Sequence, residues 1–139
     1  MPRLRELCRE GKLVEVRSAL AGGEDVNSKD SSGRTALIIA VLNKHNSIVK
    51  LLLDQPAVEV NVKDDLDRTA LHIAAEFNNA EGARMLLLHK DFNSANVTNI
   101  FGDTAQMIAV MGGNEEVLRE LVKHQRVSLD VGEVGGDQR

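Results

Sequence analysis

The 139-residue sequence has no Trp and no Tyr, and its three Phe bring the aromatic share to only 2%. A core must therefore be assembled from Leu, Val, Ile, Ala and Met. It has one cysteine, Cys8. That excludes an internal disulfide and fits a reducing compartment, the cytoplasm with the nucleus also open. No run approaches the ~18 consecutive apolar residues of a membrane span. The first ten residues, MPRLRELCRE, contain no apolar signal core. No basic block stands out and the net charge is −4. A nucleic-acid partner would require a clustered positive face, so neither nucleic acid nor membrane is an expected partner. What is present is ordinary for a folded chain: 42% apolar residues, too many for disorder by composition, in a length that suits one domain.

The arrangement of these residues is periodic. Asp64–Ala75 reads DDLDRTALHIAA, Asp30–Val41 reads DSSGRTALIIAV, and Asn99–Val110 reads NIFGDTAQMIAV. The threonines Thr35, Thr69 and Thr104 are 34 and 35 positions apart, and so are the asparagines Asn27, Asn61 and Asn96. The last of these begins an Asn-Val-Thr sequon, but the repeat already accounts for it. Two independent markers with one spacing define a repeat, and a period of this size points to a solenoid. The TALHIAA string resembles the T-P-L-H-x-A-A signature of the ankyrin repeat. The resemblance covers nearly the whole chain. It implies an all-α solenoid of four helix-turn-helix units with short β-turn fingers. All three full units carry Ala (Ala36, Ala70, Ala105) where ankyrin units usually carry Pro.

The units are expected at 2–29, 30–63, 64–98 and 99–131, one domain over 2–131, with 132–139 (GEVGGDQR) as a flexible tail. Helices are predicted at Arg3–Arg9, Leu13–Ala21, Ala36–Asn43, Ser47–Asp54, Ala70–Phe77, Ala80–His89, Ala105–Met111 and Glu115–Gln125. Thr35, Thr69 and Thr104 are the predicted caps of the first helices. Gly33 allows a tight turn, and Asp67 replaces that glycine in the third unit. Gly11, Lys44, Asn78 and Gly113 occupy the break between paired helices, where Lys44 fits a left-handed backbone worst. Gly82, inside a helix, is expected to make that helix the least stable of the long ones. Glu6 and Glu15 stand where later units have Ile39, Ile73, Ile108 and Ile48, Gly82, Val117. Gln106 and Glu120 stand where earlier units have Leu37, Leu71 and Leu51, Met85. Polar substitution of different columns at the two ends is the pattern expected of terminal caps on a complete four-unit domain.

Catalysis would need a nucleophile or base beside an orienting group. Cys8 shares the register of Val41, Ala75 and Val110, a core position. His45, His72, His89 and His124 form no helical metal pair. His72 is the His of the TALH string, which the resemblance assigns to a hydrogen-bond network near the turn. The Gly-rich stretches lack the Lys-Ser/Thr of a phosphate loop. No enzyme activity and no cofactor is expected.

The remaining candidate is surface. The resemblance implies protein contacts just before each Thr and late in each first helix. Carried over by position, these are Ser31, Ser32, Arg34, Leu42 and Asn43; then Asp65, Leu66, Arg68, Glu76 and Phe77; then Ile100, Phe101, Asp103 and Met111. Leu66 and Phe101 share one register, and Leu42 and Met111 another with Phe77 beside it, so stacking would form an apolar band. Phe92 is assigned to loop packing instead. The expected function is a monomeric, non-enzymatic module binding another protein through its fingers and concave inner-helix face. A small ankyrin-type inhibitor of a kinase or transcription factor is the alternative.

Overall fold

The computed structural model describes residues 4–132, with side chains described to 124. Its elements in chain order are α1 (Leu4–Glu10), α2 (Leu13–Ala21), α3 (Ala36–Leu42), α4 (Asn46–Leu53), α5 (Ala70–Glu76), α6 (Ala80–Leu88), α7 (Ala105–Gly112) and α8 (Glu115–Gly132). Consecutive helices pair as α1–α2, α3–α4, α5–α6 and α7–α8. Each pair leans on the next, α1 on α3, α3 on α5 and α5 on α7 in one row, α2 on α4, α4 on α6 and α6 on α8 in the other. Among the described residues there is no strand, only a single antiparallel bridge between Lys29 and Thr35 at the base of one turn. The arrangement is the expected all-α solenoid.

Local chemistry sets each boundary. Thr35, Thr69 and Thr104 have extended backbones, and their hydroxyls accept from the backbone N–H of Ile38, His72 and Met107. Each thus satisfies one N–H that the first helical turn leaves open. The paired helices are separated by Gly11, Lys44, Asn78 and Gly113, all with positive φ (76°, 58°, 55° and 67°). This left-handed residue lets the next N–H reach back to the helix it leaves. Lys12 donates to the Leu7 carbonyl, His45 to Ala40, Asn79 to Ala74 and Asn114 to Ala109. One closing bond recurs in all four units. Lys44 adopts it without the ease of Gly or Asn.

The core is one contiguous aliphatic cluster running from Leu4 to Leu121, with Ile38, Ile39, Ile48, Leu52, Leu71, Ile73 and Leu86 fully buried. Cys8 belongs to it, and burial pushes its thiol up to about 12. Phe92, expected in loop packing, is partly buried against the same cluster. Glu6 and Glu15 are exposed where Ile39, Ile73 and Ile48 are buried. The far end differs from the expected cap. Gln106 is exposed, but so are the apolar Met107, Val110 and Met111 beside it.

One helix end needs correction. α8 was expected to stop near Gln125 by analogy with the other second helices, but it continues to Gly132. The stretch RVSLDV contains no Gly or Pro, and Gly132 is the first breaker met. Gly132 is therefore helical rather than tail, and 133–139, like Arg3, lies outside the described residues. Gly82 also has a packing reason to be glycine. Its N–H donates to Asn79 Oδ1 at 3.0 Å, and a Cβ there would lie 2.7 Å from Asn79 Nδ2. The residue makes room for a cap.

Candidate protein-binding surface

The turns that project before each first helix are built by one residue each. Asp30 Oδ1 accepts from the N–H of Ser32 and of Arg34, and its Oδ2 accepts from Arg34 Nε. Asp64 repeats this with Leu66 and Arg68. In the fourth unit Asn99 Oδ1 accepts from Phe101 and Asp103. Here two changes compensate. The Asp–Arg ion pair of the earlier turns becomes Asn–Asp, which keeps the oxygen acceptor and avoids two facing carboxylates. Asp30 is partly buried, which opposes ionisation. The N–H groups of Arg34 and Ser32 and the Arg34 guanidinium outweigh this and hold its carboxyl below the usual aspartate value.

Adjacent turns are tied together. Asp65 N–H donates to the Ser32 carbonyl and Ile100 N–H to the Leu66 carbonyl, at 3.0 and 3.1 Å. Gly33, with φ of 78°, allows the close approach, since a Cβ there would meet Asp65 Oδ1 at 2.6 Å. A second tie is His72. Its Nδ1 lies 3.1 Å from the Thr69 N–H that donates to it, and its Nε2 lies 3.0 Å from the Asp103 carbonyl. The first bond requires a bare Nδ1, so the proton sits on Nε2 and the ring is neutral. Burial pulls His72 below the ordinary histidine value, against the opposing pull of the Asp103 carbonyl. The network role expected of His72 is observed.

Two further ladders had no counterpart in the sequence reading. His45 Nε2 lies 3.0 Å from the Arg9 carbonyl, Asn79 Nδ2 donates to Val41 at 3.0 Å, and Asn114 Nδ2 donates to Ala75 at 2.6 Å. Each side chain follows the left-handed residue and reaches back one unit. The signal was present as a polar column directly after the break. Asn27 and Asn61 clamp the loop of the next unit from both ends of their amides, through Ala57 and Glu59 and through Asp91 and Asn93. In the fourth unit α8 is helical across the matching stretch.

The candidate contact residues divide into two groups. Ser31, Ser32, Asn43, Asp65 and Glu76 are exposed. Leu66 (38%), Phe77 (40%), Ile100 (52%), Met111 (67%) and Phe101 (72%) are exposed apolar side chains. Arg34, Arg68, Asp103 and Leu42 are half-buried. Arg34 is held by Asp30, and Arg68 by Asp64 at 2.9 Å and Glu76 at 3.6 Å. Leu42 packs back on the core, so it contributes less to an apolar band than its register suggested.

Stacked helix pairs with hydrogen-bonded turns at one edge define a helical-repeat solenoid, which presents side chains on an extended surface. No helix among the described residues is long and apolar enough to cross a membrane. The family model of ankyrin repeats (3 copies) matches residues 4–96. Rabankyrin-5 of Homo sapiens is 31% identical over 117 residues, covering 84% of this chain and 10% of that protein. The mitochondrial disaggregase of Bos taurus is 30% identical over 135 residues, covering 95% of this chain and 20% of that protein. The nuclear factor NF-kappa-B p105 subunit of Gallus gallus is 29% identical over 120 residues, covering 82% and 12%. The chain belongs to the ankyrin-repeat family, and it spans a fifth or less of each of these relatives. Ankyrin repeats are in general protein–protein interaction modules and typically not enzymes.

Proposed function

We infer that the chain binds another protein through the ridge of its turns and the adjoining ends of α3, α5 and α7. The observation that carries this is the exposure of Leu66, Ile100 and Phe101 on turns that are hydrogen-bonded to one another. Exposed aromatic and aliphatic side chains on a stiff support favour association, because little ordering entropy opposes contact. Phe77 and Met111 extend the same apolar character to the helix ends. Phe101 is the natural anchor of such a surface. The chain works as a monomer, and its lone buried thiol suits the cytoplasm or nucleus.

The test is affinity purification of the wild type and of Phe77→Ala/Phe101→Ala from native cells, with the recovered partner titrated by calorimetry. Losing two such anchors is expected to weaken binding by about 2 kcal/mol or more, roughly thirtyfold. Equal affinity of the two proteins for that partner would remove this surface from consideration.

A further inference from the structure

The second and third units hold equivalent arginines, but only one of the two has its full set of partners. Arg68 lies between two carboxylates, with Asp64 at 2.9 Å from its Nε and Glu76 at 3.6 Å from its Nη1. Asp30 holds Arg34 in the same way, Nε to Oδ2 at 3.1 Å. The position of Glu76 is filled in the second unit by Leu42, which packs back on the core and carries no charge. Among the described residues no second carboxylate reaches Arg34, and its terminal nitrogens have no acceptor. Its side chain is 29% exposed, so a group from outside can reach it. Arg34 and Leu42 lie in the second unit, where α3 packs on α1 on one side and on α5 on the other.

We propose that Arg34 receives a carboxylate from the bound partner, in the place that Glu76 takes at Arg68, so that the ridge selects a polypeptide segment with an acidic residue close to an aliphatic or aromatic one. This rests on the ridge being the binding surface and adds the chemistry of what binds there. Asp30 fixes Arg34 into the scaffold through Nε, so the planar fork is oriented before a partner arrives and little side-chain entropy is lost on contact. Half-burial strengthens the pairing over that of a fully exposed arginine. The apolar part is supplied by Leu66 and Phe77, both exposed, which hold in the third unit the positions of Ser32 and Asn43 in the second. A phosphate suits the place less well than a carboxylate. Its second negative charge would meet Asp30, already on Arg34, and Asp65, whose carboxylate lies against Gly33.

The probe is a library of random displayed peptides selected on the whole chain, with the strongest binder synthesised and titrated by fluorescence anisotropy. Selected sequences are expected to share an Asp or Glu near an aliphatic or aromatic residue. Changing that acid to its amide should weaken binding to wild type by about tenfold or more and leave binding to Arg34→Gln unchanged. Leu42→Glu keeps the arginine but supplies the carboxylate from within, as Glu76 does, and should weaken the acidic peptide by a similar factor. Circular dichroism establishes that each variant is folded. Binders without a shared acid, or an acid-to-amide loss that persists in Arg34→Gln, would overturn the proposal and leave the ridge standing. Tighter binding when phosphoserine replaces the acid would overturn it in favour of a phosphorylated partner. Binders that hold Phe77→Ala/Phe101→Ala as tightly as wild type, or recovery of no binder, would remove the ridge itself and the proposal with it.

Discussion

Replacing Gly82 by alanine inverts the usual rule. In a helix interior the change ordinarily gains about 0.5–1 kcal/mol. Here the new Cβ would lie 2.7 Å from Asn79 Nδ2 and 2.9 Å from its Cγ. Asn79 is buried, so it must turn within a packed site. Turning breaks the cap bond from Gly82 N–H, a loss of about 1 kcal/mol. It also separates a buried amide from the Val41 carbonyl and from Asn46, with which it exchanges two bonds of 2.9 and 3.0 Å. Buried polar groups without partners cost about 1–3 kcal/mol. Setting the propensity gain against these losses leaves Gly82→Ala destabilised by about 1–3 kcal/mol. In a chain of this size the midpoint should fall by about 3–8 °C. The chain has no Trp or Tyr, so far-UV circular dichroism during heating and urea titration is the suitable assay. A double-mutant cycle isolates the cause. In an Asn79→Ala background nothing remains to be displaced, so Gly82→Ala should become stabilising. A midpoint that rises in the wild-type background, or no change of sign between backgrounds, would refute the reasoning.

Other perturbations follow from the same geometry. Lys44 holds φ at 58°, so Lys44→Gly should raise urea-unfolding stability by about 0.5–1 kcal/mol; a loss would mean that the lysine side chain makes a contact worth more than the strain. Asn99→Asp should set two carboxylates side by side and lower stability by about 0.5–1 kcal/mol, whereas Asn99→Asp/Asp103→Arg should recover it by recreating the pairing of Asp64 with Arg68; equal stability of the two variants would count against the compensation. Because His72 titrates below its ordinary value of 6.5 when folded, the unfolded chain binds the extra proton. Its stabilising effect is therefore complete above about pH 6.5 and declines as pH falls below it, by at most about 1.4 kcal/mol per pH unit. His72→Gln should flatten that slope just below pH 6.5; an unchanged slope in equilibrium unfolding would place the effect elsewhere.

The period, the capping threonines and the left-handed breaks were legible because each is a local demand repeated in register. A hydroxyl before an apolar run, or Gly and Asn at one offset, needs no knowledge of what packs against it. Most helix ends agreed to within a residue or two for the same reason. Interactions between units were harder to read, since they depend on a distance that the sequence does not state. Asn79 and Asn46 are 33 positions apart and exchange two hydrogen bonds. Neither looks unusual until the stack brings them together. Gly82 was read as a weakness for that reason, because the helix propensity of glycine is local and the side chain it admits is not. The contact surface shows the same division. Phe101 and Ile100 stay exposed because the residue before them, Asn99, ties the turn to itself through the backbone and leaves their side chains outside. Arg34 and Arg68, chosen by the same positional rule, are drawn inward by Asp30 and Asp64. The acidic partner lies four residues earlier in both turns and is lost in the fourth, where Asn99 faces Asp103. Comparing the three turns as paired columns rather than single positions would have assigned these two arginines to the scaffold. The aliphatic and aromatic tips would then have been left as the exposed apolar part of the surface available for contact.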